Sequence, residues 1–412
     1  MSGLVSDFRD KNHRFVGDCI ISTDSLVGFA YYEDFIDILN QQDFTKAASP
    51  VIKTYALFSP YWTQQSVGLE VMGIDPLSYS AVTGFADSLH YCANDVSHLF
   101  HAVYDSNQPG CVFGIETRLT RGRDGRYSYG TLPSREAWTA SFVPLTIKGA
   151  PAKAGTSMVN TKTFYTTDYS ASGLARVDNS VVYLPFKHVQ SLTAMATEPK
   201  RTSAIAIKFH PDIALAPTVK KVSILWDEFI KTKSTAKNAE LLKNVTVQSW
   251  KTYRRSLIAA MEKEQMMMTV LFSLMAITTV FIIFVVFYMI INHKSKDIGI
   301  LKSVGVCKSS IISLFLGFAF LVGFFGSVVG LLGGWLFLLK VNQIENWLLE
   351  HFGFQLWDRS IYAIDDIPNQ LGFCLIAVVL TASIFVCLAG ALLPSWLAAR
   401  LKPVETLAVN RL

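Results

Sequence analysis

His90, Cys92, Asp95, His98 and His101 gather metal-binding side chains within a dozen residues. On a helix His98 and His101 would share a face and offer two imidazoles to a metal. Histidines on a surface helix explain the same spacing. No HExxH helix, G-x-S-x-G elbow or paired-cysteine set accompanies them. GVCKSS, around Gly305, is the nearest approach to a phosphate loop, but it lacks the Gly-Lys-Ser/Thr order and the leading glycine. Carboxylates such as Asp124 and Glu136 cannot be paired from sequence. No catalytic residue, metal site or resident cofactor is therefore assigned.

The most directed pattern is NHKSKDIGILKSVGVCKSS, Asn292 to Ser310, between two uncharged apolar runs. It sets Lys294, Lys296, Lys302 and Lys308 against a single acid, Asp297. On a short helix Ile298, Leu301 and Val304 would form an apolar face able to enter a partner's groove. Lys294, Lys296 and Lys302 would then meet its acidic rim. A solvated basic loop would explain the lysines, but not the apolar spacing or Gly299 and Gly305.

The flanking runs, 266–291 and 311–339, each exceed the roughly 20 apolar residues that cross about 30 Å of hydrocarbon, and a third run covers 371–393. All are expected to span a membrane. The basic linker marks the cytoplasmic side. Between the second and third runs, Glu345, Glu350, Asp358, Asp365 and Asp366 outnumber Lys340 and Arg359, which places that loop outside. The tail, with Arg400, Lys402 and Arg411 against Glu405, returns inside. Parity then exports everything before Met266. No signal or span precedes it, so the chain is expected to begin at an internal methionine with another apolar helix upstream; translocation of the N-terminal tail and help from a partner chain are the alternatives.

Composition fits a large ectodomain joined to a membrane region. Apolar residues make up 51% of the 412 and charged ones only 17%, an imbalance concentrated after Met266. The net charge of +5 carries no basic stripe interleaved with aromatics, so nucleic acid is not implied. Only Cys19, Cys92 and Cys111 fall outside, too few for a disulfide framework.

Residues 1–250 read as a mixed α+β extracytoplasmic domain. GDCIIS, VGLEVMGI, AWTASFVPLTI, KTFYTTDY, SVVYLPF and SAIAIKF are expected strands, while Tyr31 to Gln41, His188 to Met195 and Pro217 to Thr232 are expected helices. Turns are expected at Ser106 to Gly110, Gly122 to Gly125 and Gly149 to Gly155, the last dividing two subdomains. Residues 251–265 form a helical stalk, continuous with the first span over about 60 Å. It could carry displacement or merely link. In the second span Gly326, Gly330 and Gly334 stand four apart, a spacing that permits close helix approach, either between subunits or within one.

KDIGILKSVGV resembles the cytoplasmic coupling segment of FtsX-like permeases, an acid followed by IG-apolar-apolar-K-x-x-G: here Asp297, Ile298, Gly299, Ile300, Leu301, Lys302 and Gly305. LPSWLAARLKPVETL resembles the family's closing motif at Pro394, Ala398, Ala399, Arg400, Pro403, Glu405 and Leu407, and IYAIDDIP is similar to the segment before the last span in lipoprotein-releasing permeases. MSGLVSDFRD resembles the outer end of a first span. The acid here is Asp rather than the commoner Glu. The resemblance implies a MacB-like periplasmic domain, four spans of which three are visible, and residence in the inner membrane with a cytoplasmic C-terminus. It also implies an ABC ATPase subunit that carries the ATP and Mg, and a second permease copy or paralogue. An extracytoplasmic carrier would receive lipoprotein or lipid from the membrane. Efflux of peptides or small molecules, and regulation of a cell-wall hydrolase, remain the alternatives.

Overall fold

The computed structural model describes residues 2–63, 65–120, 122, 127–152, 158–352 and 373–400. These form two units, residues 4–259 and residues 260–352 with 373–400.

The first unit is built on one mixed sheet. In order across it run Thr246–Ser249, Cys19–Ser22, Ala204–Phe209, Thr45–Pro60, Val67–Ile74, Val181–Pro185, Asp105–Gly114, Asn160–Ser170 and Ala137–Phe142. Most pairs are antiparallel; Val67–Ile74 with Val181–Pro185 and Asp105–Gly114 with Asn160–Ser170 are parallel. The long strand Thr45–Pro60 is shared along its length. Its first half pairs with Ala204–Phe209, and its end pairs with Ala137–Phe142, so that Phe58 lies opposite both Val67 and Ala140. The last six strands thereby close on themselves, which leaves no free edge there.

The alternation that makes these strands also makes the core. In Ala137–Phe142 every second residue is buried, Trp138, Ala140 and Phe142. Phe58, Phe113 and Trp138 meet inside the closed part, with ring centroids 5.9 Å and 5.2 Å apart. The same core continues to the helix Leu215–Thr232, which buries Val222, Trp226 and Phe229, and Trp226 meets Phe35 of the helix Tyr32–Asn40 edge-on at 4.7 Å.

Three expectations change here. Ser106 to Gly110 is no free turn: it lies within the strand Asp105–Gly114, where His101 pairs with Pro109. The stretch at Gly149 does not separate subdomains, because the strands on either side, Ala137–Phe142 and Asn160–Ser170, pair with each other. The stalk is interrupted. A short helix, Trp250–Tyr253, ends at Arg254 before the long helix Arg255–His293 begins.

Asp18 ties the stalk root together. Its carboxylate accepts from the Phe209 N–H at 2.8 Å and Lys208 at 3.1 Å and meets His13 at 2.6 Å, while its carbonyl accepts from the Trp250 N–H. Burial alone would raise the Asp18 pKa; His13, the Phe209 amide and Lys208 outweigh it and hold the carboxyl below its ordinary range. His13 also stacks on Trp250 at 4.6 Å.

Among the described residues three helices are long and apolar enough to cross a membrane, within Arg255–His293, Lys308–Phe352 and Phe373–Arg400. They meet at small residues: Phe287 packs with Ala319 and Ala391.

Candidate functional site

The segment between the first two spans folds as a helix, Ser295–Ser303. Its end explains one glycine. Val306 N–H reaches back to the Leu301 carbonyl and Gly305 N–H to the Lys302 carbonyl, both at 3.1 Å, a paired closure that needs a left-handed residue. Gly305, with φ of +102°, supplies it.

Ile298 differs from its expected place. It is buried with Ile291, Ile311, Phe315 and Ala398, so it plugs the helix into its own chain rather than a partner's groove. Gly299 beside it is buried too. The burial stops at Ile298 and Gly299, which the neighbouring helices cover, and Ile300, Leu301 and Val304 stay uncovered at 52%, 44% and 80% exposure. Lys302 also turns home. Its Nζ donates to the Ala399 carbonyl at 2.6 Å, in the last turn of the third span, where a cation meets the negative helix end. Desolvation, then the neighbouring Lys308, lowers the Lys302 pKa. Lys294 pairs with Asp297 at 3.1 Å, both well exposed, and Lys296 is exposed.

The motif thus divides into anchors and a presented face. Ile298, Gly299, Lys302 and Gly305 shape and hold the helix. Lys296, Leu301 and Val304 remain outward, joined by Ile300, which belongs to the motif but not to the expected apolar face. The signal for Ile300 was available in its adjacency to Leu301, but one helix cannot bury every apolar neighbour at once.

Pro394 is buried inside the third span. Without an N–H it leaves the Gly390 carbonyl without its usual helical donor. At Gly390 the first span comes close: an added Cβ would lie 2.8 Å from Ile283 Cγ2 and 2.9 Å from the Val280 carbonyl. Gly323 likewise admits Cys387 of the third span. At Gly326, Gly330 and Gly334 a Cβ would meet nothing within 4 Å. These three instead line an apolar cavity of about 650 Å³ with Val322, Trp335 and Val386. Arg400 lies over the Trp396 ring at 3.6 Å. Pro403, Glu405 and Leu407, like IYAIDDIP, lie outside the described residues.

The rings of His98 and His101 lie 5.9 Å apart, but the rest of the cluster goes into separate contacts. His90 stacks on Tyr129, His101 bonds the Ser106 carbonyl at 3.0 Å, and Asp95 accepts from the Ser97 N–H at 2.9 Å. Among the described residues no group of three His, Cys, Asp or Glu side chains could hold a metal.

Three apolar helices with a short self-anchored helix between the first two define a multi-span membrane protein. Residues 269–403 match the FtsX-like permease C-terminal family. The lipoprotein-releasing system transmembrane protein LolC of Neisseria meningitidis serogroup B is 24% identical over 246 residues, 60% of this chain and 55% of that protein. LolC of Xylella fastidiosa strain 9a5c is 25% identical over 161 residues, 39% of each chain. These alignments therefore cover about half or less of the relatives' own length. The crystal structure of the periplasmic region of MacB from Actinobacillus actinomycetemcomitans matches over 60% of this chain and 95% of its own, at 12% identity and a TM-score of 0.33, too loose a likeness to carry function. Residues 269–403 thus match an FtsX-like permease C-terminal domain, and the chain is similar to LolC.

Proposed function

We propose that this chain is the membrane subunit of an ABC transporter of the mechanotransmission type. A separate ATPase would bind ATP and Mg and grip the helix Ser295–Ser303 from the cytoplasm. One observation carries the reading: within the matched permease region, the short helix is fixed to its own bundle by Ile298 and Lys302 yet leaves Ile300, Leu301 and Val304 uncovered. Fully burying such side chains is worth about 1.5–3 kcal/mol each, enough for a partner's groove to hold the helix. Force on it would pass directly to all three spans, which its anchors touch. The linker charges support a cytoplasmic position for it and an exported first unit, in an inner membrane.

Lipid or lipoprotein extraction is favoured over soluble efflux and over hydrolase regulation by the apolar cavity. About 650 Å³ lined by span residues falls within the usual range for ligand pockets, roughly 300–1,000 Å³, and suits an acyl chain. A second permease, identical or paralogous, would complete the complex, and an extracytoplasmic carrier would receive the cargo.

Co-purification with the ATPase and turnover in lipid discs test the coupling. Leu301→Asp is expected to abolish both, because an unpaired carboxylate in an apolar groove costs several kcal/mol. The melting of the first unit should stay unchanged. Normal assembly and turnover in this variant would overturn the reading.

A further inference from the structure

The first unit holds a cavity of about 230 Å³ at the stalk root, where the sheet meets the break at Arg254. Its charged lining is lopsided: Lys53, Arg176 and Arg254 face one carboxylate, Glu70. Even that compensation is loose, since Glu70 lies 3.8 Å from Arg176, whose side chain is 64% exposed. The Arg254 Nε is buried without a hydrogen-bond partner, a costly state for a guanidinium. Lys53 Nζ is held against the Tyr253 hydroxyl.

Tyr253 reports the resulting field. Burial pushes its phenol up, but the charge and hydrogen bond of Lys53 and the charge of Arg254 outweigh burial and lower it. Aliphatic side chains such as Ile20 and Val51 form much of the remaining wall.

We propose that this cavity is a binding site for a small oxyanion, a phosphate or phosphate headgroup, which bridges Lys53, Arg176 and Arg254. The size excludes a large ligand, because drug-sized pockets begin near 300 Å³. An oxyanion neutralises the excess of two cations. It also has a mechanical consequence. Arg254 is the residue at which the stalk changes from short to long helix, so a bound anion fastens that joint to the sheet strand carrying Lys53. The proposal stands apart from the coupling helix and from any assignment of cargo.

The test measures thermal unfolding of the whole chain in phosphatidylcholine discs, with inorganic phosphate titrated at constant ionic strength against chloride. A parallel series replaces part of the phosphatidylcholine with phosphatidic acid. Saturable stabilisation by free phosphate supports a soluble oxyanion, while stabilisation only with phosphatidic acid supports a lipid headgroup. In either series Arg254→Gln and Arg176→Gln should each weaken the apparent affinity roughly tenfold, the worth of one charged hydrogen bond. If Arg254→Gln fails to fold, Arg176→Gln decides alone, since that side chain is largely exposed. No saturable shift in either series, or shifts unchanged by Arg176→Gln, would overturn the proposal.

Discussion

The two units of this chain bury opposite kinds of side chain. In residues 4–259 the centre is aromatic and aliphatic, with Phe58, Phe113 and Phe164 fully buried in the closed part of the sheet. In the spans the large apolar residues face outward, as Phe272, Phe281 and Phe325 do at 67%, 66% and 63% exposure, and the fully buried positions include the alanines 319, 391 and 398. Water drives burial in the first case. In lipid no such force acts between helices, so close backbone approach and a few polar ties must hold the bundle. The lesson is that large residues fill the first unit throughout, while in the second small residues let the spans approach and a few large ones, such as Phe287, Ile298 and Phe315, pack beside Lys302.

The strongest way to break that comparison is a matched pair of truncations. Phe58→Ala should cost the first unit about 3–5 kcal/mol, read as a large drop in its melting temperature, because it opens a cavity where the sheet closes. Phe281→Ala removes the same atoms from a lipid-facing position and should leave helix packing nearly unchanged. Equal losses would mean that the spans are packed like a soluble core.

Acid titration gives the next largest effect. Burial lifts the Asp178 pKa from 3.8 to about 6, despite hydrogen bonds from the Ser172 hydroxyl and the Ser172 and Gly173 amides. The folded state therefore holds this proton more tightly than the unfolded chain. Its contribution is most favourable below about pH 4 and is lost as pH rises through 6, a penalty of order 3 kcal/mol at neutrality. Melting of wild type compared with Asp178→Asn between pH 4 and 7 should reveal that slope in wild type alone. A parallel pH dependence in the variant would assign the titration elsewhere.

A smaller effect sharpens the contrast within the spans. Gly390→Val should disturb the approach of the first span to the third by about 1–3 kcal/mol, because the new side chain meets Ile283 and the Val280 carbonyl. Gly330→Ala should be nearly silent in this subunit, since a Cβ there meets open space. Disulfide trapping between cysteines placed on the first and third spans reads the difference. Loss of trapping in Gly330→Ala, with retention in Gly390→Val, would reverse the assignment.

Much of this was legible in sequence because it is periodic. VGLEVMGI coincides with the strand Val67–Ile74, Tyr31 to Gln41 contains the helix Tyr32–Asn40, the apolar runs 266–291 and 311–339 fall inside long helices, and so does the described part of the third, 373–393. The longest strand, Thr45–Pro60, was not legible. Pro50 interrupts it, and its pattern is blurred because its two halves serve different partners. The helix Ser2–Val16 was also missed, since its polar stretch reads as the end of a span. At the coupling segment the residue set could be read, but the division between anchors and face could not. That division depends on where Ile311, Phe315 and Ala398 converge, and no single helix encodes its neighbours.

Site-specific photo-crosslinking across the coupling helix tests the central claim most directly. A photoreactive residue at position 301, in membranes that also contain the ATPase, should capture the ATPase, while the same residue at position 298 should yield only crosslinks within its own chain. Capture of the ATPase from position 298, with none from 301, would contradict the account.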